Sequence, residues 1–200
     1  MSSGSPFHYN DIGNPLARNL LHFVDFPEHL RSCEISHQSA NSRSTEPTAH
    51  PAAHLRRDQG KTEFGIDYGV IVCAMRHESE GANRRMLKAA REFLGNGVCA
   101  ADLAGNEAAF PMSLFMELFG EVRRLEMPFT IHAGECGSVQ NILDAVQCGA
   151  SRIGHGIALR GQKEAIAFCR DRQIGIEMCP LSNMQTKAVK DPAEYPIQDF

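Results

Sequence analysis

The sequence has no basic run and no long apolar segment. Its formal net charge is −4, from 20 Lys+Arg against 24 Asp+Glu. With a negative net charge and no basic run, nucleic acid and anionic membrane surfaces are excluded as main partners. No apolar stretch approaches the roughly 20 residues that span a bilayer. Met1 to Asn10 is polar and lacks the charged-then-apolar pattern of a signal peptide. A cytoplasmic protein is expected. No two of the seven cysteines (Cys33, Cys73, Cys99, Cys136, Cys148, Cys169 and Cys179) stand in CxxC spacing, and seven is odd. A disulfide framework and a thiolate zinc site are both disfavoured. Most of these thiols lie in apolar runs, where they fill space as small hydrophobes. Internal repeats are missing, and so is a Gly-rich phosphate loop.

What the chain does have is enough apolar residue, 42% of 200, for one domain with a real core. It divides in two. Residues 1–60 are expected to be irregular or disordered. Leu20 to Leu30 has an apolar stretch that suits a helix but for Pro27. Ser36 to His54 is polar, carries two prolines and shows no periodicity. His50 and His54 are four apart, but Pro51 argues against the helix that would put them on one face.

From about Phe64 strand-like and helix-like segments alternate. Expected strands are Tyr68 to Met75, Val98 to Leu103, Phe129 to His132, Arg152 to His155 and Ile174 to Cys179. Expected helices are Glu80 to Leu94, Pro111 to Leu125, Ser138 to Cys148 and Gln162 to Asp171. Gly95, Gly97 and Gly149 act as stops. Continuous apolar strands alternating with helices are the mark of βα units on a parallel sheet. Two architectures remain on this pattern, a doubly wound sheet or part of a (β/α)8 barrel.

Polar residues gather at the carboxyl ends of the strands, in Asp102-Leu103-Ala104-Gly105, His132-Ala133-Gly134-Glu135, Gly154-His155-Gly156 and Glu177-Met178-Cys179-Pro180. In a barrel these ends converge on one face, where catalytic residues sit. Core packing does not ask for such residues, since an unpaired buried polar group costs about 1–3 kcal/mol. His132, at the end of an apolar strand, is the strongest metal candidate. Glu135 follows after two small residues, placed to turn a carboxylate toward whatever His132 binds and to relay protons. Alone, His132 would read as a satisfied buried histidine; Glu135 and His155 beside it favour the site. His155, between two glycines with room for its ring, suits a second ligand or a group that polarises an attacking hydroxide. Gly105 reads equally as an ordinary turn glycine. Asp102 and Glu107 read as a loop acid and a helix N-terminal acid. His77 reads as a solvated loop residue, and the Arg84, Arg85, Lys88 and Arg91 group as a wet helix face.

Five stretches together resemble the adenosine deaminase family, especially its bacterial members: GIDYGVIVCAMRH (65–77), ADLAGNE (101–107), FTIHAGECGS (129–138), SRIGHGIAL (151–159) and IEMCPLSNMQTKAV (176–189). They occur in the family's order over about residues 61–200. QTKAV after CPLSN looks more like adenosine deaminases than the related adenine deaminases. The resemblance implies a TIM barrel with one zinc ion and hydrolysis of a small purine nucleoside, adenosine or deoxyadenosine, to the inosine form and ammonia. It implies His132 as a zinc ligand and Glu135 as proton donor to the ring nitrogen beside the attacked carbon. His155 would orient the attacking water and help deprotonate it, and Gly105 would contact the purine through its backbone.

Two family features are absent. No His-x-His pair occurs in this sequence, and it stops at Phe200 in YPIQDF, before the two adjacent aspartates of the family's last strand. One of the family's protein zinc ligands is then present, and a single imidazole holds zinc weakly. The expectation is a partial barrel of about five βα units, from a gene fragment, pseudogene or mis-assembled reading frame, inactive as it stands. The alternatives are a non-catalytic degenerate barrel fragment and an adenine deaminase of the same superfamily.

Overall fold

The computed structural model describes residues 69–200 throughout, together with residues 22–24, 33–35, 62, 63 and 65. Two short strands come first, β1 (His22–Val24) and β2 (Cys33–Ile35). They pair antiparallel, and β2 then runs parallel to β3 (Gly69–Met75). Phe23 and Val24 therefore lie in a strand where the apolar stretch suggested a helix. Three residues are too few for periodicity to signal, and the pairing that makes them strands is tertiary. The irregularity expected of Ser36 to His54, with His50 and His54, lies outside the described residues.

The alternating pattern beyond Phe64 is realised as α1 (Glu80–Arg91), β4 (Val98–Ala104), α2 (Met116–Arg124), β5 (Thr130–Ala133), α3 (Val139–Cys148), β6 (Arg152–His155), α4 (Lys163–Asp171), β7 (Gly175–Glu177) and α5 (Pro180–Gln185). Local chemistry sets the ends. Ser79 and Ser138 cap α1 and α3, accepting from the amides of Ala82 and Asn141. Gly149 closes α3 with φ +111, a conformation that costs a side chain but not glycine. Pro111 precedes a 3-10 turn, Met112–Phe115, before α2 begins, so the single helix expected from Pro111 is two pieces.

Strand order decides between the two architectures. β3 pairs with β4, β5 with β6 and β6 with β7, all parallel. A parallel bridge from Ala101 to Phe129 joins β4 to β5, and the Ala101 amide donates to the Pro128 carbonyl at 2.9 Å. Each strand thus lies beside its predecessor. With right-handed crossovers, a sheet that always advances the same way has all its helices on one side. A doubly wound sheet must reverse. This is the singly wound arrangement of a (β/α)8 barrel; the five parallel strands expected from the sequence, β3 to β7, are present, and β2 adds a sixth beside β3.

The core lies between strands and helices. Ala101, Leu103, Ile131 and Ile153 on the sheet meet Leu87 of α1, Phe119 and Val122 of α2 and Ile142 of α3, all buried. Phe119 packs on Phe129 with ring centroids 5.1 Å apart. Cys148 and Cys169 are buried free thiols in this layer, filling space as expected. Cys99 instead takes part in a disulfide. That corrects the expectation of unbridged thiols; pairing follows proximity in space, which spacing along the chain does not report. Among the described residues no helix is long and apolar enough to cross a membrane.

Candidate active site

Side chains alternate along a strand, and parallel registration puts partners on the same face. Thr130, His132, Arg152, Gly154, Gly175 and Glu177 are in register across β5, β6 and β7. Their face is opposite to that of Ile131 and Ile153, which pack under the helices. The outcome is one apolar face and one polar face on the same strands. Arg152 and Glu177 pair on the polar face at 2.7 Å.

His132 is held by Asp102, fully buried at the end of β4. Its Nδ1 lies 3.1 Å from one carboxylate oxygen and 2.9 Å from the other. Burial opposes charging the imidazole, but the Asp102 charge and hydrogen bond, helped by Glu177 and Glu135, outweigh it and raise the His132 pKa. With Nδ1 committed to Asp102, Nε2 is the nitrogen His132 can offer a metal, and a carboxylate behind a ligand histidine fixes its tautomer and orientation. Gly154 lies beside the ring: a Cβ there would stand 3.5 Å from its Cγ and Nδ1, at ordinary contact distance.

His155 ends β6 in a left-handed backbone, φ +68. A non-glycine residue there is strained and needs neighbours to hold it. The ring is buried and meets that of His132 edge-on, centroids 5.2 Å apart. Asn183, fully buried in α5, places its Nδ2 2.8 Å from the His155 Nδ1. The Tyr195 hydroxyl donates to Asn183 Oδ1 at 3.3 Å, which leaves the amide nitrogen toward His155. Burial, then the neighbouring His132, lower the His155 pKa against the opposing pull of Glu135 and Asn183.

Glu135 completes the group. Its Oε1 accepts from Thr186 Oγ1 at 2.8 Å and Asn183 Nδ2 at 3.3 Å, and lies 3.6 Å from His155 Nδ1. The structure thus brings together three of the four residues singled out in the sequence, His132, Glu135 and His155. Gly105 follows β4 with φ +113 and lies against the Arg76 side chain, but no hydrogen bond joins it to the other three. His77 is exposed, as a solvated loop residue should be.

Four further residues belong to this constellation. Asp102 is the partner of His132, not a loop acid. Glu107 is buried, not a surface acid at a helix start. Asn183 links His155 with Glu135, and Thr186 anchors Glu135. Asp102 stood in the strand-end pattern, so a signal existed for it. Asn183 and Thr186 lie about fifty residues from Glu135 along the chain (|i−j| of 48 and 51), and only the fold brings them close.

This arrangement can hold a metal ligand in a fixed tautomer, keep a second imidazole neutral beside it, and present a carboxyl group to a substrate. Among the described residues, however, no three of His, Cys, Asp and Glu are placed to hold one ion.

The family model described as Adenosine deaminase matches residues 39–200. An adenosine deaminase from Enterococcus faecalis is 44% identical over 142 residues, which is 71% of this chain and 42% of that protein. The chain therefore spans about two-fifths of the length of the curated relatives it matches. Two solved structures share the fold. An adenine deaminase from Arthrobacter aurescens superposes with a TM-score of 0.66 at 23% identity, covering 76% of this chain and 50% of its own. An amidohydrolase from Burkholderia ambifaria with bound Zn gives 0.67 at 21%, covering 75% and 43%.

Proposed function

The chain belongs to the adenosine deaminase family, and from that premise we propose that its strand ends form part of a zinc-dependent site for hydrolytic deamination of adenosine or deoxyadenosine. In that reaction a C–O bond forms and a C–N bond breaks at the purine carbon bearing the amino group, and ammonia leaves. One observation carries the reading. The Glu135 carboxylate is held by Asn183 and Thr186 beside His155, whose ring lies against the Asp102-bound His132.

Glu135 is the proton donor to the ring nitrogen next to the attacked carbon. Its Oε1 is engaged by two donors, which leaves Oε2 to exchange a proton with substrate. His155 orients the attacking water. Because the Asn183 amide donates to Nδ1, the neutral ring carries its proton on Nε2 and acts by donating. This supports the orienting half of the role the resemblance implies over the deprotonating half. Gly105 would meet the purine through its backbone. His132 fits one zinc position, through Nε2. Zinc, when bound, lowers the pKa of water toward about 7 and so supplies a nucleophile at neutral pH. Among the described residues no three of His, Cys, Asp and Glu are placed to hold one ion, and a single imidazole holds zinc weakly, so turnover is expected to be weak if those residues alone bind the metal.

The test is adenosine deamination by the purified, zinc-supplied chain, followed by the ultraviolet change from adenosine to inosine. Any turnover should vanish in Glu135→Gln with little change in the unfolding midpoint. Survival of turnover in that variant would remove Glu135 from its role. Robust turnover by the unaltered chain would show that other residues complete the ligand set and would overturn the expected weakness.

A further inference from the structure

Glu107 is a buried acid to which the chemistry above gives no part. Its carboxylate receives four donors. Oε1 accepts from the Gly134 amide at 2.6 Å and from Asn141 Nδ2 at 2.8 Å. Oε2 accepts from the amides of Glu135 at 3.0 Å and Cys136 at 3.2 Å. Three successive backbone N–H groups aimed at one anion form an anion-binding nest, and here the anion is the protein's own. Asn141 is oriented for this by the Met112 amide, which donates to its Oδ1 at 2.9 Å and turns the NH2 toward Glu107. The held segment is the turn between β5 and α3. It contains Gly134 and Gly137, both at φ +83, and has few side chains of its own to fix it.

We infer that Glu107 is a positioning residue: its carboxylate fastens the turn at residues 134–136, and so fixes where the Glu135 carboxylate stands relative to His155 and Asn183. The catalytic meaning of this rests on the proposed role of Glu135; the clamp itself does not. A charged group is required. Each oxygen of Glu107 takes two donors, so a glutamine in either orientation puts an NH2 where two donors need an acceptor. An ionised acceptor also binds backbone N–H groups more strongly than a neutral one.

The experiment compares the full chain with Glu107→Gln by amide hydrogen exchange and by the NMR resonances of the Asn183 side-chain NH2, which contacts Glu135. In Glu107→Gln the amides of Gly134, Glu135 and Cys136 should exchange about tenfold faster or more, while those inside α3 stay as they were. The Asn183 NH2 resonances should move in the direction that Glu135→Gln moves them. Unchanged loop amides would overturn the clamp. Faster exchange with fixed Asn183 resonances would leave Glu107 a structural residue that does not position Glu135. Glu107→Asp keeps the charge but withdraws it by one methylene. It should show the same changes at smaller size, and it carries the test if the glutamine variant does not fold. Neither readout uses turnover, so a failure to deaminate would count against the proposed function and leave the clamp standing.

Discussion

At the scale of single residues, two histidines whose rings touch are driven in opposite directions. Asp102 holds His132 above the ordinary imidazole range, against its burial, while burial and the neighbouring His132 push His155 below it. For these two of the nine histidines, titration of the metal-free chain by proton NMR should give separate midpoints, His132 above and His155 below the ordinary value of about 6.5. A single shared midpoint would refute the assignment. The linkage has opposite signs for the two. Stability from His132 is present below the unfolded value and is lost as pH rises through its raised folded value. Stability from His155 is present above the unfolded value and is lost as pH falls toward its lowered one. His132, Glu135 and His155 were legible because polar groups at the ends of apolar strands contradict what burial asks for. Asn183 and Thr186 were not, since a buried amide or a helix hydroxyl in the sequence says nothing of which distant side chain it will meet.

At the scale of elements, periodicity and punctuation located every strand and α-helix between α1 and β7, while the ends shifted by tertiary detail and the 3-10 helix Ile157–Leu159 went unread. α1 finishes at Arg91 rather than at Leu94, because the amides of Glu92, Phe93 and Leu94 turn back three residues to Ala89, Ala90 and Arg91. β1 and β2 escaped because strands of three residues carry no pattern of their own. Ser138 both caps α3 and starts it immediately after the Glu135 turn. Ser138→Ala should lower stability by about 1 kcal/mol, measured by urea denaturation. A loss well below that would mean the cap is replaced by solvent.

At the scale of the whole molecule, the advancing strand order makes one layer of helices cover one face of the sheet, and the core is that layer. Phe119, fully buried against Phe129, sits in its middle. Phe119→Ala should cost about 3–5 kcal/mol, a large share of the ~5–15 kcal/mol by which domains are stable. Loss of the cooperative thermal transition is the expected readout, and a near-unchanged melting curve would show that the packing is not where the stability lies. Because the same strands turn Ile131 and Ile153 to the helices and His132, Arg152 and Glu177 away from them, packing and the polar groups of that face occupy opposite sides of one backbone, with His155 at the strand end as the exception. A protein engineer could therefore recode the specificity of this surface without repacking its interior, and mutational drift on one side is shielded from the other.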